Sequence, residues 1–252
     1  MRLLRRIYSI YGTIVFFGTF FLLLPVFVLT IEVPSWNKYG RKLNRIWSTI
    51  FFSFLLIRVR FENLEYLKAN RQYVIVSNHF SYLDIPVLGL IPFDLVFVGK
   101  ASLGKIPLFG YMFRNLHIAV DRTSLKSRGA SIAKAKEAID QGASVVVFPE
   151  GGINSQNPPR LARFKDGAFR IAMDKQIPLI PITLSYNHLI LPDDGRFLLR
   201  HKKAKVVIHP PVSVHGSNTK TVNGLKEHCF GVIQEQLLRD NPGADVSMDT
   251  RQ

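Results

Sequence analysis

From Ile7 to Ile31 the chain carries no charged side chain. Twenty-five such residues, wound as a helix, make a rod about 37 Å long, against roughly 30 Å for the hydrocarbon core of a bilayer. A second uncharged run, Ile46–Ile57, reaches only about 18 Å as a helix. Both runs lie inside a basic collar. Residues 1–60 hold Arg2, Arg5, Arg6, Lys38, Arg41, Lys42, Arg45, Arg58 and Arg60 against one acid, Glu32. Cations flank the first run on both sides, so charge alone does not orient it across a membrane. Two arrangements satisfy it. In one, the run spans once. In the other, it kinks near Pro25 and dips back, or pairs with the second run as a helical hairpin in one leaflet. A cleaved signal peptide is a poor fit, because the run is too long and no small-residue cleavage site follows it.

Composition narrows the function. The 252 residues are 47% hydrophobic and have a net charge of +15. That excludes intrinsic disorder. The single cysteine, Cys229, excludes an intrachain disulfide framework and a cysteine-based zinc site. Nucleic-acid binders are basic but seldom apolar, and no nucleic-acid recognition motif is present. A chain that is both basic and apolar suits an anionic membrane surface.

After residue 60 the pattern changes to short β-branched runs: Tyr73–Ser77, Asp94–Gly99, Leu116–Val120, Ala143–Phe148, Leu179–Ser185 and Lys205–His209. They are nearly continuous in apolar residues, as strands covered on both faces are. Helical stretches alternate with them: Ser131–Gln141, stopped by Gly142, then Ala168–Lys175 and Thr219–Leu238. The fold expected is α/β, a mixed sheet flanked by helices, preceded by an N-terminal hydrophobic helical segment. The divisions are 1–60 for membrane-anchoring helices, 61–240 for the α/β unit and 241–252 for a polar tail.

Several catalytic motifs are missing. There is no G-x-S-x-G nucleophile elbow and no G-x-G-x-x-G. Gly99–Lys105 imitates the front of a phosphate-binding loop, but Ile106-Pro107 stand where a Ser or Thr must open a helix. The strongest local feature is Asn78-His79-Phe80-Ser81-Tyr82-Leu83-Asp84-Ile85-Pro86, at the end of a strand, where open α/β sheets place their ligands. Five residues apart, His79 and Asp84 do not share a helical face, yet a turn brings them together. Asp84 then fixes the imidazole tautomer and leaves the other ring nitrogen as a general base. Alternatively, Ser81-x-x-Asp84 is a helix-capping box, a reading that Pro86 weakens because it would fall inside the helix. Phe148-Pro149-Glu150-Gly151-Gly152 ends another strand, with exposed peptide N–H groups beside a carboxylate, or is an ordinary glycine turn. Arg122 follows a third strand, with Lys100, Lys105 and Arg114 upstream, and basic groups at strand ends suit phosphate.

Together these blocks resemble the glycerolipid acyltransferases, the lysophosphatidate acyltransferase family. Asn78-His79 through Asp84 resembles their H-x4-D block, and Lys100 through Arg122 the second block. Phe148-Pro-Glu-Gly151 resembles the third, with Phe164-Lys165-Asp-Gly167 after it, and Ile180–Leu184 the fourth. The match runs in order over roughly residues 61–210. The resemblance implies acyl transfer from acyl-CoA or an acyl carrier protein to the 2-hydroxyl of 1-acylglycerol 3-phosphate, giving phosphatidic acid. It implies His79 as base and Asp84 as its partner. It places Arg122, Glu150, Gly151 and Gly152 at the acceptor head group, with Asn78, Lys100, Arg163 and Lys165 as auxiliaries. It implies neither metal nor cofactor, and a cell-membrane location with the catalytic unit on the cytoplasmic face. One departure stands out: the third block continues Gly152-Ile153 instead of Thr-Arg, so Arg122, Arg160, Arg163 or Lys165 must supply the missing guanidinium or ammonium. Two alternatives follow: an acyltransferase for another lysolipid or lyso-aminolipid, and, in a different class, a non-catalytic membrane scaffold.

Overall fold

A computed structural model describes residues 2–69, 71–216 and 219–243, so most of the expected polar tail lies outside the described residues. The first apolar run is one unbroken helix, α1 (Arg2–Glu32), with Pro25 inside it. It does not dip and return. A short 3-10 turn at Pro34–Trp36 reverses the chain into α2 (Asn37–Phe54), which packs back along α1. Their seam is aromatic. Trp47 donates its indole N–H to Thr19 Oγ1 at 2.9 Å, and Phe16, Phe20 and Phe27 surround its rings.

Seven strands form one sheet: β1 (Val59–Glu62), β2 (Val74–Ser77), β3 (Leu95–Lys100), β4 (Ile118–Val120), β5 (Ser144–Val147), β6 (Leu179–Leu184) and β7 (Ala204–Ile208), in the order β1-β7-β6-β2-β5-β3-β4. All neighbours are parallel except β6 and β7, so the sheet is mixed as the sequence implies. The central strands are apolar throughout because both faces are covered. Ile75, Phe97, Val146 and Ile180 point into a core shared with Phe51 and Phe52 of α2 and Val15 of α1. Val74, Val76, Val96 and Val145 point to the other side, under α5 (Leu125–Asp140), α6 (Gly167–Lys175) and α8 (Val222–Asp240). The remaining helices are α3 (Asp84–Gly89), α4 (Phe109–Leu116) and α7 (Asn187–Ile190).

Three local expectations are corrected. Leu116 ends α4 instead of opening a strand, because its side chain is buried with Trp47 and Phe27 in the aromatic seam. Helix α5 starts six residues before Ser131, where the Ser124 hydroxyl caps it by accepting from Ser127 N–H. Strand β1 is an additional edge strand, paired with β7 and easily overlooked at four residues. Gly99–Lys105 forms no phosphate loop: residues Ala101–Lys105 make a 3-10 turn ending in extended Ile106.

Helix α4 lies so close to that turn that a Cβ on Gly110 would overlap the Gly104 carbonyl. The obstacle is backbone, so it has no rotamer to escape into. Gly110→Ala is therefore expected to cost about 1–3 kcal/mol and to lower the melting temperature measured by circular dichroism. An unchanged melting temperature would contradict this packing.

Candidate active site

Five parallel strands end on the same edge of the sheet, and the polar side chains collect there. After β2, Asn78 turns its amide onto β6. Its Nδ2 donates to Leu184 O at 3.1 Å, and its Oδ1 accepts Leu184 N–H at 2.8 Å. Asn78 is thus an anchor that extends the β2–β6 pairing by one side chain. It fixes where the next residue, His79, leaves the sheet.

His79 Nδ1 lies 2.9 Å from Asp84 Oδ2. The same oxygen accepts the N–H groups of Phe80 at 2.8 Å and Ser81 at 2.9 Å. Asp84 Oδ1 accepts Asn187 Nδ2 at 2.8 Å, from the first residue of α7 beyond β6. Asp84 is fully buried, and four donors converge on its two oxygens. That arrangement suits a carboxylate, an acceptor only, so Nδ1 is the donor and carries the imidazole proton. Nε2 has no hydrogen-bond partner among the described residues. The ring stacks on Phe148 at 4.1 Å and 17°.

The capping and catalytic readings of Asp84 coincide. Asp84 takes the N–H groups of the turn as a helix-capping carboxylate does, while also holding His79. Pro86 is no obstacle. Helix α3 begins at Asp84, so Pro86 sits in the first turn, where its missing N–H had no helical acceptor anyway.

The turn after β5 supports His79 from the other side. Glu150 is 1% exposed. Its Oε1 accepts the His79 N–H at 2.7 Å and its Oε2 the Ala162 N–H at 2.9 Å. Both oxygens therefore face this chain's own backbone. Gly151 and Gly152 have φ of +77° and +153°. Side chains there would collide: a Cβ on Gly151 meets Lys165 Nζ, and one on Gly152 lies 2.9 Å from Arg122 Nη1. The two glycines let both cations close over the turn. Lys165 N–H is tied to Pro149 O at 2.8 Å.

Two cavities flank this arrangement. An apolar one of about 480 Å³ runs between α1, α2 and the α/β unit, past Tyr82, Leu83, Phe16, Trp47 and Phe113. Its wall includes His117, whose pKa burial pushes down to about 3, so the ring is neutral. A second, basic cavity of about 760 Å³ includes Arg122, Arg163 and Lys165 and borders Phe148 and Gly151. Lys100 lines neither and is exposed at the end of β3. Cys229 is buried in α8 and its thiol is pushed up to about 12, a packing residue and no nucleophile. No cluster of metal ligands occurs among the described residues.

Asn187 is the polar contact that the motifs did not mark. It lies 103 residues from Asp84 and belongs to no motif singled out above. The only hint in the sequence is its place just past a strand end, like His79 and Glu150.

Comparison with known proteins bears on this geometry. A family model described as Acyltransferase matches residues 58–185. The chain is 31% identical over 206 residues to the chloroplastic 1-acyl-sn-glycerol-3-phosphate acyltransferase LPAT1 of Arabidopsis thaliana, covering 79% of this chain and 56% of that protein. A 1-acyl-sn-glycerol-3-phosphate acyltransferase of Chlamydomonas reinhardtii is 32% identical over 238 residues, covering 89% of this chain and 70% of that protein. The chain spans little more than half the length of the Arabidopsis protein and of its Brassica napus counterpart. Among solved structures, the 1-acyl-sn-glycerophosphate acyltransferase PlsC of Thermotoga maritima superposes with a TM-score of 0.78. It is 22% identical, with 94% of this chain and 98% of that one covered, and so shares the fold.

Burial lifts the Glu150 carboxyl to about 7, against the two N–H groups that favour its charged form and with a small push from Asp84. Between about 4.5 and 7 the folded chain therefore holds a proton that the unfolded chain has released. Stability then falls as pH rises through that window, by up to about 3 kcal/mol. Glu150→Gln has no proton to lose. Its melting temperature should fall less than that of the unsubstituted chain between pH 5 and pH 8, and parallel slopes would contradict this account of Glu150.

Proposed function

We propose that this chain, which belongs to the acyltransferase family, transfers a fatty acyl group from an acyl thioester to the 2-hydroxyl of 1-acylglycerol 3-phosphate. The observation that carries the reading is His79, its Nδ1 held by a buried carboxylate, its Nε2 without a partner among the described residues, and its ring stacked on Phe148 of the basic cavity's wall. His79 Nε2 takes the proton of the acceptor hydroxyl. The oxygen attacks the thioester carbonyl, forming the ester C–O bond and then breaking the C–S bond. The imidazolium returns the proton to the leaving thiolate. Asp84 stabilises the imidazolium, and Asn187 keeps Asp84 in place. The acyl chain lies in the apolar cavity. Arg122 and Lys165, closed over Gly151–Gly152, meet the acceptor phosphate, and Arg122 takes the role left open by Gly152-Ile153. Glu150 acts through backbone, fixing the His79 and Ala162 N–H groups. The enzyme needs no cofactor beyond its thioester co-substrate.

We read α1 and α2 as the membrane anchor, lying in one leaflet, and the chain from β1 to residue 240 as the catalytic unit, which moves the expected boundary at 60/61 back to Val59. Both ends of α1 touch the α/β unit: Ser9 Oγ accepts Leu199 N–H at 2.7 Å, and Glu32 bonds the Tyr111 hydroxyl. A helix held at both ends by the same domain lies along it and does not cross away from it. Its outer face is a band of exposed Ile10, Ile14, Phe21, Leu22 and Leu29, and Trp36 and Tyr39 lie at the turn beside Lys38 and Lys42. That is the pattern of an interfacial helix with aromatic and cationic anchors. The catalytic unit then faces the cytoplasm from the cell membrane, where acyl thioesters are available.

His79→Ala should lower kcat by about 10²–10⁴ while the protein still melts cooperatively and sediments with vesicles. Asn187→Ala should lower kcat about tenfold, the loss of one charge-assisted hydrogen bond, with both KM values unchanged. Unimpaired turnover in His79→Ala would refute the mechanism. Unimpaired turnover in Asn187→Ala would remove Asn187 from it.

The anchor is tested without deletion, since α1 and α2 contribute Val15, Phe51 and Phe52 to the sheet's core. Leu22→Asp with Leu29→Asp should sharply reduce co-sedimentation with phosphatidylglycerol vesicles and leave the melting temperature unchanged. Undiminished sedimentation would contradict the leaflet arrangement.

A further inference from the structure

We propose that the wall of the apolar cavity carries a polar notch, built from Asn44, Ser48 and His117, that selects an acyl chain bearing an oxygen at an interior carbon, as a hydroxyl or a keto group. The proposal rests on the acyl-transfer reading above, which puts a chain in that cavity, and adds the class of chain that the wall recognises.

Ser48 is 5% exposed, lines the cavity and has no hydrogen-bond partner among the described residues. Gly89 lines the cavity against it. A Cβ there would lie 2.7 Å from Ser48 Oγ, so a side chain at that position would cover the hydroxyl. Asn44 stands one turn earlier on the same face of α2, and its amide lies 3.1 Å from His117 Nε2. The Phe97 N–H takes His117 Nδ1 at 3.3 Å, and burial keeps the ring neutral. The ring proton is therefore on Nε2, and the Asn44 amide accepts it through its oxygen. That leaves the Asn44 NH2 group with no partner among the described residues. Two other hydroxyls of this wall are spent within α1: Ser9 Oγ donates to Arg5 O at 2.7 Å and Thr13 Oγ1 to Ser9 O at 2.9 Å.

Two unspent donors, a hydroxyl and an amide NH2, thus belong to the wall of an otherwise apolar hollow. A plain hydrocarbon filling it strips water from both and returns nothing, which is costly for buried polar groups. A chain oxygen accepts from them. A site that hydrogen-bonds a substrate oxygen discriminates strongly against the analogue that lacks it. Depth sets the position of that oxygen. Helix α3 starts at Asp84, the partner of His79, and ends at Gly89, about 7.5 Å further along its axis. Carbons next to the thioester stay near His79, and the interior of the chain reaches the notch beside Gly89. The chain belongs to the acyl donor or to the lysolipid, and the chemistry of recognition is the same for both.

The test measures binding of stearic acid and of its positional hydroxy isomers, at carbon 2 and at interior carbons, to the full chain in phosphatidylcholine nanodiscs, by displacement of a fluorescent fatty acid. One interior isomer is expected to bind at least tenfold tighter than stearic acid, and the carbon-2 isomer is not. Ser48→Ala should bring that preference within twofold and leave stearic acid binding undiminished. Gly89→Ala, which covers the hydroxyl without removing it, should do the same. Thr13→Val, whose lost hydroxyl already has a partner, should keep the preference. Initial rates then locate the chain. The CoA thioesters of the same acids are offered with a plain lysolipid, and stearoyl-CoA with the hydroxylated lysolipids. A tenfold gain in kcat/KM in one arm assigns the notch to that substrate. A binding preference that Ser48→Ala removes, in a chain that transfers acyl groups from no donor, would refute the acyl-transfer reading and leave the notch standing. Equal binding of all isomers, a preference that survives both Ser48→Ala and Gly89→Ala, or turnover indifferent to the hydroxyl in both arms would overturn the proposal.

Discussion

The site is organised around one buried carboxylate. Asp84 has no contact with solvent, and a charge in that position is tolerable only if its lone pairs are filled. They are filled from three directions: two N–H groups of its own turn, the His79 ring, and the Asn187 amide from across the sheet. Three of these donors follow β2 and the fourth follows β6. The carboxylate therefore reports whether β2, α3 and the β6–α7 corner are correctly assembled, and it orients the imidazole only when they are. Asn78 and Glu150 tighten the same frame, one by clasping Leu184 and the other by holding the His79 N–H. What resembles a catalytic pair is a junction of three structural elements with one ring nitrogen left over for chemistry.

The rest of the molecule separates an amphiphile into its parts. On one side of His79 the wall is aromatic and aliphatic and is built jointly by α1, α2, α3 and α4. On the other it is lined by guanidinium and ammonium groups. The division sets an apolar surface on one side and a cationic one on the other. It also explains why the N-terminal helices are part of the fold instead of a detachable tail. Phe16, Trp47 and Phe51 line the apolar cavity from α1 and α2, so these helices build a wall of the site as well as packing on the sheet.

Much of this was legible in the sequence. The central strands announced themselves because burial on both faces leaves no room for alternation, and the His79–Asp84 spacing demanded a turn that a strand end supplies. What was not legible depended on contacts between distant segments. Leu116 has the composition of a strand, and only its burial against Trp47 and Phe27 makes it the end of a helix. Pro86 counted against a helix until the helix was seen to begin two residues before it. Glu150 stood beside two glycines in what looked like a ligand-facing turn, yet its carboxylate points inward to backbone. Asn187 carries no local signature, since its value lies in a partner 103 residues away. The missing Thr-Arg after Gly151 became intelligible through the space above Gly152, which a side chain would deny to Arg122.

The central claim is that Asp84 fixes the neutral His79 ring with its proton on Nδ1 and Nε2 free to act as base. The most direct measurement is the ¹⁵N spectrum of histidine-labelled protein, with the His79 signals assigned by difference against His79→Gln. The account predicts Nδ1 as the protonated nitrogen of the neutral ring and a bare Nε2, with that preference lost in Asp84→Asn. A neutral His79 protonated on Nε2 would contradict it.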